Sequence, residues 1–357
     1  MLPYLTEQFY NPSAAYAPAV RVRRAIDEAR ERVAALLGAR PGEVVFTAGG
    51  TEATNTALLR MRRVLVGAAE HPATLRTVEG RGALCPVLPN GQVDAAAWRE
   101  LLPGCDGASV AWANHETGVI QPMAALCEAA AEASVLLHAD AVQAAGKIPL
   151  ALHEWPAVAY ASVSAHKLHG PKGVGALYVR AGAPLQPLLT GGGQESALRS
   201  GTENVAGIVG FGCAAELALA ALESHARTER LRTRFLRALA EGGVEAVENG
   251  ADAPRLPHVL SLRVPGCTAE SLSLLLEPAG LLCAAGSACT SAQPQPSHVL
   301  LAMGLSPTQA RETLRLSWSR YATDEEADAA AAIFMAAVRK IRAAQSAHTG
   351  PVMVYRP

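Results

Sequence analysis

Residues 158–179 read VAYASVSAHKLHGPKGVGALYV. The apolar run at 158–162 predicts a strand, a polar turn with glycine and proline follows, and 176–179 predicts a second strand. Similar short apolar runs precede it at 44–46, 64–66, 110–113 and 135–138, with helical stretches between several of them. Upstream of the earliest run, Val22, Ile26, Ala29, Val33 and Leu36 share one helical face, and Gly38 is placed to stop that helix. This alternation predicts an α/β fold, a mostly parallel sheet with helices on both faces. An alanine-rich helix at 205–223 ends it. Beyond that point strands at 258–264 and 314–318 and helices at 270–276 and 324–344 predict a smaller α+β domain. The expected division is a large domain at 1–222 and a small C-terminal one at 223–357.

With 357 residues, half of them apolar and only 18% charged, the chain can bury a large core and is not of the disordered class. Net charge is −1. The short basic cluster Arg21, Arg23 and Arg24 alternates with apolar residues at helical spacing, the pattern of a solvated helix face rather than a nucleic-acid patch. Seven cysteines stand at 85, 105, 127, 213, 267, 283 and 289 without a CxxC pair, which speaks against a zinc site and for a reducing compartment. The N-terminus lacks the pattern of a signal peptide, and no apolar run approaches the ~20 residues that span a bilayer. A cytoplasmic protein without bound metal, membrane or nucleic-acid partner is expected.

In an α/β sheet, ligands gather at the carboxyl ends of the strands. Gly49-Gly50-Thr51-Glu52 follows one predicted strand and opens a helix, so free N–H groups and the helix dipole there suit a phosphate, although such a turn can also simply reverse the chain. Asp140 ends the run VLLHA. A buried acid there needs a partner, either a protonated pyridine nitrogen or the first turn of the next helix. Lys167 follows the 158–162 strand; at a buried strand end a lysine is costly unless paired or used covalently, as in a Schiff base with an aldehyde cofactor. Its ordinary alternative is a loop lysine reaching solvent. Cys289 lies among small residues in AAGSACTS, which suits an exposed, reactive thiol, whereas Cys283 after Leu281-Leu282 reads as buried and structural.

Nearly the whole chain resembles the cysteine desulfurases of the NifS/IscS type, within the class-V aminotransferases. The resemblance is carried by NPSAAY at 11, VVFTAGGTEATN at 44, AEHPA at 69, ANHETGVIQP at 113, HADAVQAAGKIPL at 138, SVSAHKLHGPKGVGALYV at 162, GGGQESALRSGTENVAGIVGFG at 191, AAGSACTSAQPQPSHVLLAMG at 284 and LRLSWSRYATDEE at 314. The stretches around Lys167 and RSGTEN are the most specific. The resemblance implies a pyridoxal-phosphate (PLP) enzyme of fold type I. It implies that Lys167 carries the cofactor, Asp140 pairs with its ring nitrogen, and Gln143 bonds its phenolic oxygen. His71 would stack on the ring and move protons. Gly50, Thr51, Ser164 and His166 would hold the phosphate, joined by Thr202 from the partner subunit of a homodimer. Arg315 would clamp the substrate carboxylate, with Asn114 and His115 beside the substrate. Cys289 would take sulfur from L-cysteine as a persulfide and pass it to an acceptor protein, for iron–sulfur cluster assembly or tRNA thiolation.

The sequence departs from the family pattern in three places. The sequence starts just before NPSAAY, so the family's N-terminal segment with a D-x-x-A-T-T-P-like motif is absent or the true start lies upstream; Tyr16 stands where a histidine is common, and His115 stands where the family has a second asparagine. The runner-up reading is another PLP lyase, such as a selenocysteine or cystine lyase, against which the ACTS setting of Cys289 argues. A third is a PLP-binding scaffold of a sulfur-transfer complex that does not turn over.

Overall fold

The computed structural model describes residues 1–222, 225–285 and 295–347. The helices in chain order are α1 (Pro3–Thr6), α2 (Ala17–Leu37), α3 (Gly50–Leu58), α4 (Pro72–Thr77), α5 (Ala95–Leu101), α6 (Met123–Glu132), α7 (Val205–Ala220), α8 (His225–Glu241), α9 (Ala269–Leu276), α10 (His298–Ala302), α11 (Pro307–Arg311) and α12 (Asp324–Ala347). The strands are β1 (Val44–Thr47), β2 (Val64–Gly67), β3 (Gly82–Cys85), β4 (Gly107–Ala111), β5 (Leu136–Asp140), β6 (Val158–Ser164), β7 (Gly175–Val179), β8 (Val247–Glu248), β9 (Val259–Arg263), β10 (Ala284–Ala285) and β11 (Thr313–Ser317). Packing divides the described residues into two compact units. One comprises Met1–Leu88, Gln92–His115 and Val119–Glu223; the other comprises Pro89–Gly91, Glu116–Gly118 and Ser224–Pro357.

The first unit is built on a seven-stranded sheet of order β1-β7-β6-β5-β4-β2-β3. Pairs β6/β5, β5/β4, β4/β2 and β2/β3 are parallel, while β7 runs antiparallel to both neighbours. Strand β1, antiparallel to β7, therefore points the same way as the other five, and the mostly parallel sheet read from the sequence is present. Strands β1, β2, β4, β6 and β7 are buried throughout, as expected of strands covered on both faces. The predicted face of α2 is the buried one: Val22, Ile26 and Val33 are fully shielded. Gly38 ends that helix at φ 61°, and a Cβ on it would stand 2.6 Å from Ala151 Cα, so both backbone hand and space require glycine.

Strand bounds differ from the sequence reading by two or more residues at β4, β5 and β6, which runs on to Ser164. Strand β5 runs on to Asp140 and β4 starts at Gly107, because their parallel ladder pairs Gly107 with Leu136 and continues to Ala111 with Asp140. Backbone pairing, not hydrophobicity, sets those ends. The edge strand β3 has only Cys85 buried, and so leaves no apolar run in the sequence. The second unit carries a four-stranded antiparallel sheet of order β10-β11-β9-β8. Its core joins Phe235 of α8, Leu260 and Leu262 of β9, Leu272 of α9, Leu314 of β11 and Phe334 and Val338 of α12.

Candidate active site

Five segments of the first unit leave the carboxyl ends of strands that all point one way. Strand β1 leads to Gly50 and Thr51, β2 to Glu70 and His71, β4 to Asn114 and His115, β5 ends in Asp140 with Gln143 just beyond, and β6 ends in Ser164 before His166 and Lys167. The topology thus brings the sequence-predicted residues of this unit, Thr202 excepted, to one edge of the sheet, where such sheets bind ligands.

At the β1 end, an open cavity of about 540 Å³ is lined by Ala48, Gly49, Gly50, Thr51, Glu52, Ser164, His166, Lys172 and Gly173. A Cβ on Gly50 would come within 2.7 Å of the Val142 side chain, so only glycine lets the first turn of α3 approach the β5–β6 side so closely. Ser164 Oγ and His166 Nδ1 are 2.9 Å apart. Burial, and then the charges of Lys167 and Lys172, depress the His166 pKa, which favours the neutral ring. Lys172 lines this cavity without having been singled out in the sequence; its place in GPKG, after a strand end, is the signal that could have found it. Thr202 is exposed and does not line the cavity of its own chain. Its loop is held by Arg199 Nε bonding Glu52 of α3 at 2.9 Å and by Gly201 N–H donating to Gln194.

At the β5 end, Asp140 is 8% exposed and Oδ1 accepts the Val142 N–H at 3.0 Å. Burial pushes its carboxyl up to about 6, countered by that bond and by the Lys167 charge. Asp140 thus receives a local backbone donor yet remains a costly buried acid. Beside it lies Glu70, buried, accepting the Ala111 N–H at 2.7 Å; burial raises its pKa well above the carboxylate range and the Asp140 charge adds to this. Glu70 escapes sequence reading because its neighbourhood comes from β4 and β5, not from its own segment. His71 caps α4, its Nδ1 accepting the Ala73 N–H at 3.1 Å, so the neutral ring carries its proton on Nε2. The His115 ring packs edge-to-face on His71, with centroids 5.0 Å apart. Asn114 is buried and donates to Ala69 O at 2.9 Å.

Lys167 is not at a buried strand end. It is exposed, on a short turn of helix spanning Ala165–Leu168 just past β6, and Lys147 Nζ donates to its backbone carbonyl at 3.2 Å. The burial expected from the sequence is missing because the strand ends three residues earlier, at Ser164.

In the second unit, Arg315 sits in β11 opposite Ser261 of β9 and Ala284 of β10. Its charge acts on Glu116, a buried carboxylate that accepts the Ser297 hydroxyl and whose pKa burial raises. Cys289 lies outside the described residues. Cys283 is half-buried with a pKa raised by burial, in keeping with the structural role read for it. Cys85 and Cys127 are buried, with thiols pushed up to about 12 and about 11. Among the described residues no cluster of histidine, cysteine and carboxylate side chains could hold a metal ion, and no helix is long and apolar enough to cross a membrane.

The class-V aminotransferase family pattern matches residues 1–330. A cysteine desulfurase of Gluconacetobacter diazotrophicus is 42% identical over 359 residues, covering 96% of this chain and 90% of that protein. Among solved structures, a NifS-like protein superimposes with a TM-score of 0.86 at 34% identity, covering 95% of this chain and 94% of the other. SspA in complex with cysteine gives a TM-score of 0.78 at 30% identity, with coverage of 90% and 94%.

Proposed function

The chain belongs to the class-V aminotransferase family, and within it we propose that the protein is a PLP-dependent cysteine desulfurase. The observation that carries the cofactor is Asp140, a buried carboxyl raised to about 6 at the same sheet edge as the open turn of α3. A pyridinium N–H facing Asp140 and a phosphate facing the N–H groups of Gly50 and Thr51 suit the two ends of that edge. Lys167, between Ser164 and Lys172, would hold the aldehyde carbon. Gln143 would bond the phenolic oxygen, and Ser164, His166 and the partner subunit's Thr202 would complete the phosphate shell.

When bound, PLP supplies an electrophilic carbon for the substrate amine and a ring that takes up the electrons of a broken C–H bond. The chain's own residues do the rest. Asp140 would hold a proton on the ring nitrogen by its negative charge. His71, its Nδ1 committed to the Ala73 N–H, exchanges protons through Nε2. Arg315 would grip the substrate carboxylate with its planar fork, and Asn114 and His115 would flank the substrate. The Cys289 thiolate would attack the sulfur of L-cysteine, forming an S–S bond as the carbon–sulfur bond breaks. The balance is closed: L-cysteine and one thiol give L-alanine and one persulfide. An acceptor protein then takes the sulfur, for iron–sulfur cluster assembly or thiolation. Domain roles follow: the N-terminal unit would bind the cofactor, and the C-terminal unit would bring the sulfur-accepting thiol.

The test is the visible spectrum of the purified protein with PLP, and alanine and sulfide release from L-cysteine. A Schiff-base band lost in Lys167→Ala, with sulfide release lost in Cys289→Ala, is the expected result. Turnover that survives Cys289→Ala would identify a simple lyase, and bound cofactor without turnover would identify a scaffold.

A further inference from the structure

Beneath the candidate site runs a chain of buried polar side chains that the proposed chemistry does not use. Thr54 Oγ1 donates to Ser162 Oγ at 3.0 Å, Ser162 Oγ and His138 Nε2 are 2.8 Å apart, and His138 Nδ1 and Ser109 Oγ are 2.8 Å apart. Ser109, His138 and Ser162 are fully buried and Thr54 is 1% exposed. The chain joins α3 to β6, β5 and β4, and each member stands one step below a residue of the site. Thr54 lies one helical turn after Gly50, while Ser162 precedes Ser164, His138 precedes Asp140 and Ser109 precedes Ala111 by two strand positions on the same face. Ala111 is the residue whose N–H holds Glu70.

With Thr54 donating to Ser162, a neutral His138 completes the chain in either tautomer: the Ser162 proton can go to Nε2 with Nδ1–H donating to Ser109, or Nε2–H can donate to the second lone pair of Ser162 with Nδ1 accepting the Ser109 proton. This needs a neutral imidazole, which has one donor and one acceptor. Burial provides it, pushing the His138 pKa down to about 3. The apolar contacts of α3, made by Ala53, Ala57 and Leu58 against Val45 and Tyr160, tolerate small slides and rotations of the helix. Directional hydrogen bonds do not.

We infer that Thr54, Ser162, His138 and Ser109 are positioning residues that fix the first turn of α3, the phosphate end of the site, relative to Asp140, the ring end. The inference rests on the PLP reading above. A ligand that engages both ends gains from a fixed spacing, whereas a ligand engaging one end does not. The cofactor-free protein is titrated with PLP, with pyridoxal, which lacks the phosphate, and with inorganic phosphate in competition.

In His138→Leu the affinity for PLP is expected to fall about 10-fold, the order expected when buried hydroxyls lose a partner, with pyridoxal and inorganic phosphate unchanged within about 2-fold. His138→Gln, neutral and with both a donor and an acceptor, is expected to recover most of the loss. An unchanged affinity for PLP, or a parallel loss for all three probes, overturns the inference, since the second is what general loosening gives. If His138→Leu does not fold, Thr54→Val and Ser162→Ala decide the matter by the same comparison. Failure of the wild-type protein to bind PLP removes the functional reading itself, and this inference with it.

Discussion

The two sheets of this molecule place their chemistry by different means. In the seven-stranded sheet, six strands point one way, and the candidate residues of the first unit stand at or just beyond carboxyl ends. Their meeting follows from topology alone. In the antiparallel four-stranded sheet, Arg315 is an interior position of β11, set by its pairing with Ser261 and Ala284. There the outcome depends on register, and a slip of one residue would turn Arg315 to the opposite face. The first sheet also separates its two ends by burial: at β5 stands the shielded acid Asp140, the proposed ring end, and at β1 an open turn lined by exposed Thr51 and His166, the proposed phosphate end.

The largest test of that contrast is Asp140→Asn. An amide keeps the shape and the acceptor for Val142 N–H but removes the negative charge. Turnover is expected to fall on the order of 100-fold or more, as when a preorganised electrostatic group is deleted from a shielded site. The measurement is kcat on L-cysteine with PLP saturating. Thr51→Ala, at the exposed end where backbone donors remain, is expected to weaken PLP affinity by less than about 10-fold. Equal effects from both would erase the distinction between the ends.

Next in size is the anchor of the loop that carries Thr202. Glu195, Ser196 and Ala197 all have positive φ, at 49°, 56° and 63°, a left-handed turn made without glycine. Each such residue costs about 1 kcal/mol or more. Glu195 holds the turn with two bonds of 2.7 Å from Arg30 and one of 2.8 Å from Phe46 N–H. Glu195→Ala leaves the mostly buried Arg30 guanidinium without that carboxylate and is expected to cost roughly 3 kcal/mol, lowering Tm by about 4 °C. A change below about 2 °C in a thermal melt would mean that the turn is held by other contacts.

The sequence made the parallel sheet legible because strands buried on both faces write apolar runs, and those that shifted by two or more residues, β4, β5 and β6, did so where backbone pairing outlasts the apolar run. It made Asp140, Lys167 and the α3 turn legible as types at strand ends. It could not show Glu70 or His138, since their meaning comes from neighbours on strands 24 to 41 residues away. Nor could it show that Lys167 falls three residues beyond the strand, in the open.

Acid–base behaviour sharpens the same contrast within β5. In the cofactor-free protein the folded state raises Asp140 from 3.8 to about 6, so it holds a proton that the unfolded chain releases, and stability falls as pH rises from about 4 to about 6. His138 is lowered from 6.5 to about 3, so the unfolded chain binds the proton, and stability falls as pH drops through that window. Two residues two positions apart on one strand thus oppose each other between pH 4 and 6. The Tm of Asp140→Asn is expected to gain on wild type as pH rises across that range. Parallel curves would show that Asp140 is better solvated than its burial implies.

The smallest expected effect belongs to His115. Its ring lies 5.0 Å from that of His71, edge-to-face, so a positive charge on either disfavours a positive charge on the other. In the proposed function His71 would be neutral to accept a proton, and with Nδ1 accepting the Ala73 N–H it would do so through Nε2. Replacing His115 by asparagine keeps a polar side chain there and removes the titrating neighbour. Protonation of His71 then becomes easier at a given pH, so the acid limb of the kcat/KM profile is expected to move to higher pH, by less than about one unit. The plateau itself is expected to change less than about 3-fold. A shift of the limb with a steady plateau assigns His115 an electrostatic effect on His71. A plateau that drops with the limb in place assigns it instead to substrate binding, the role that its neighbour Asn114, buried and tied to Ala69, is less free to take up.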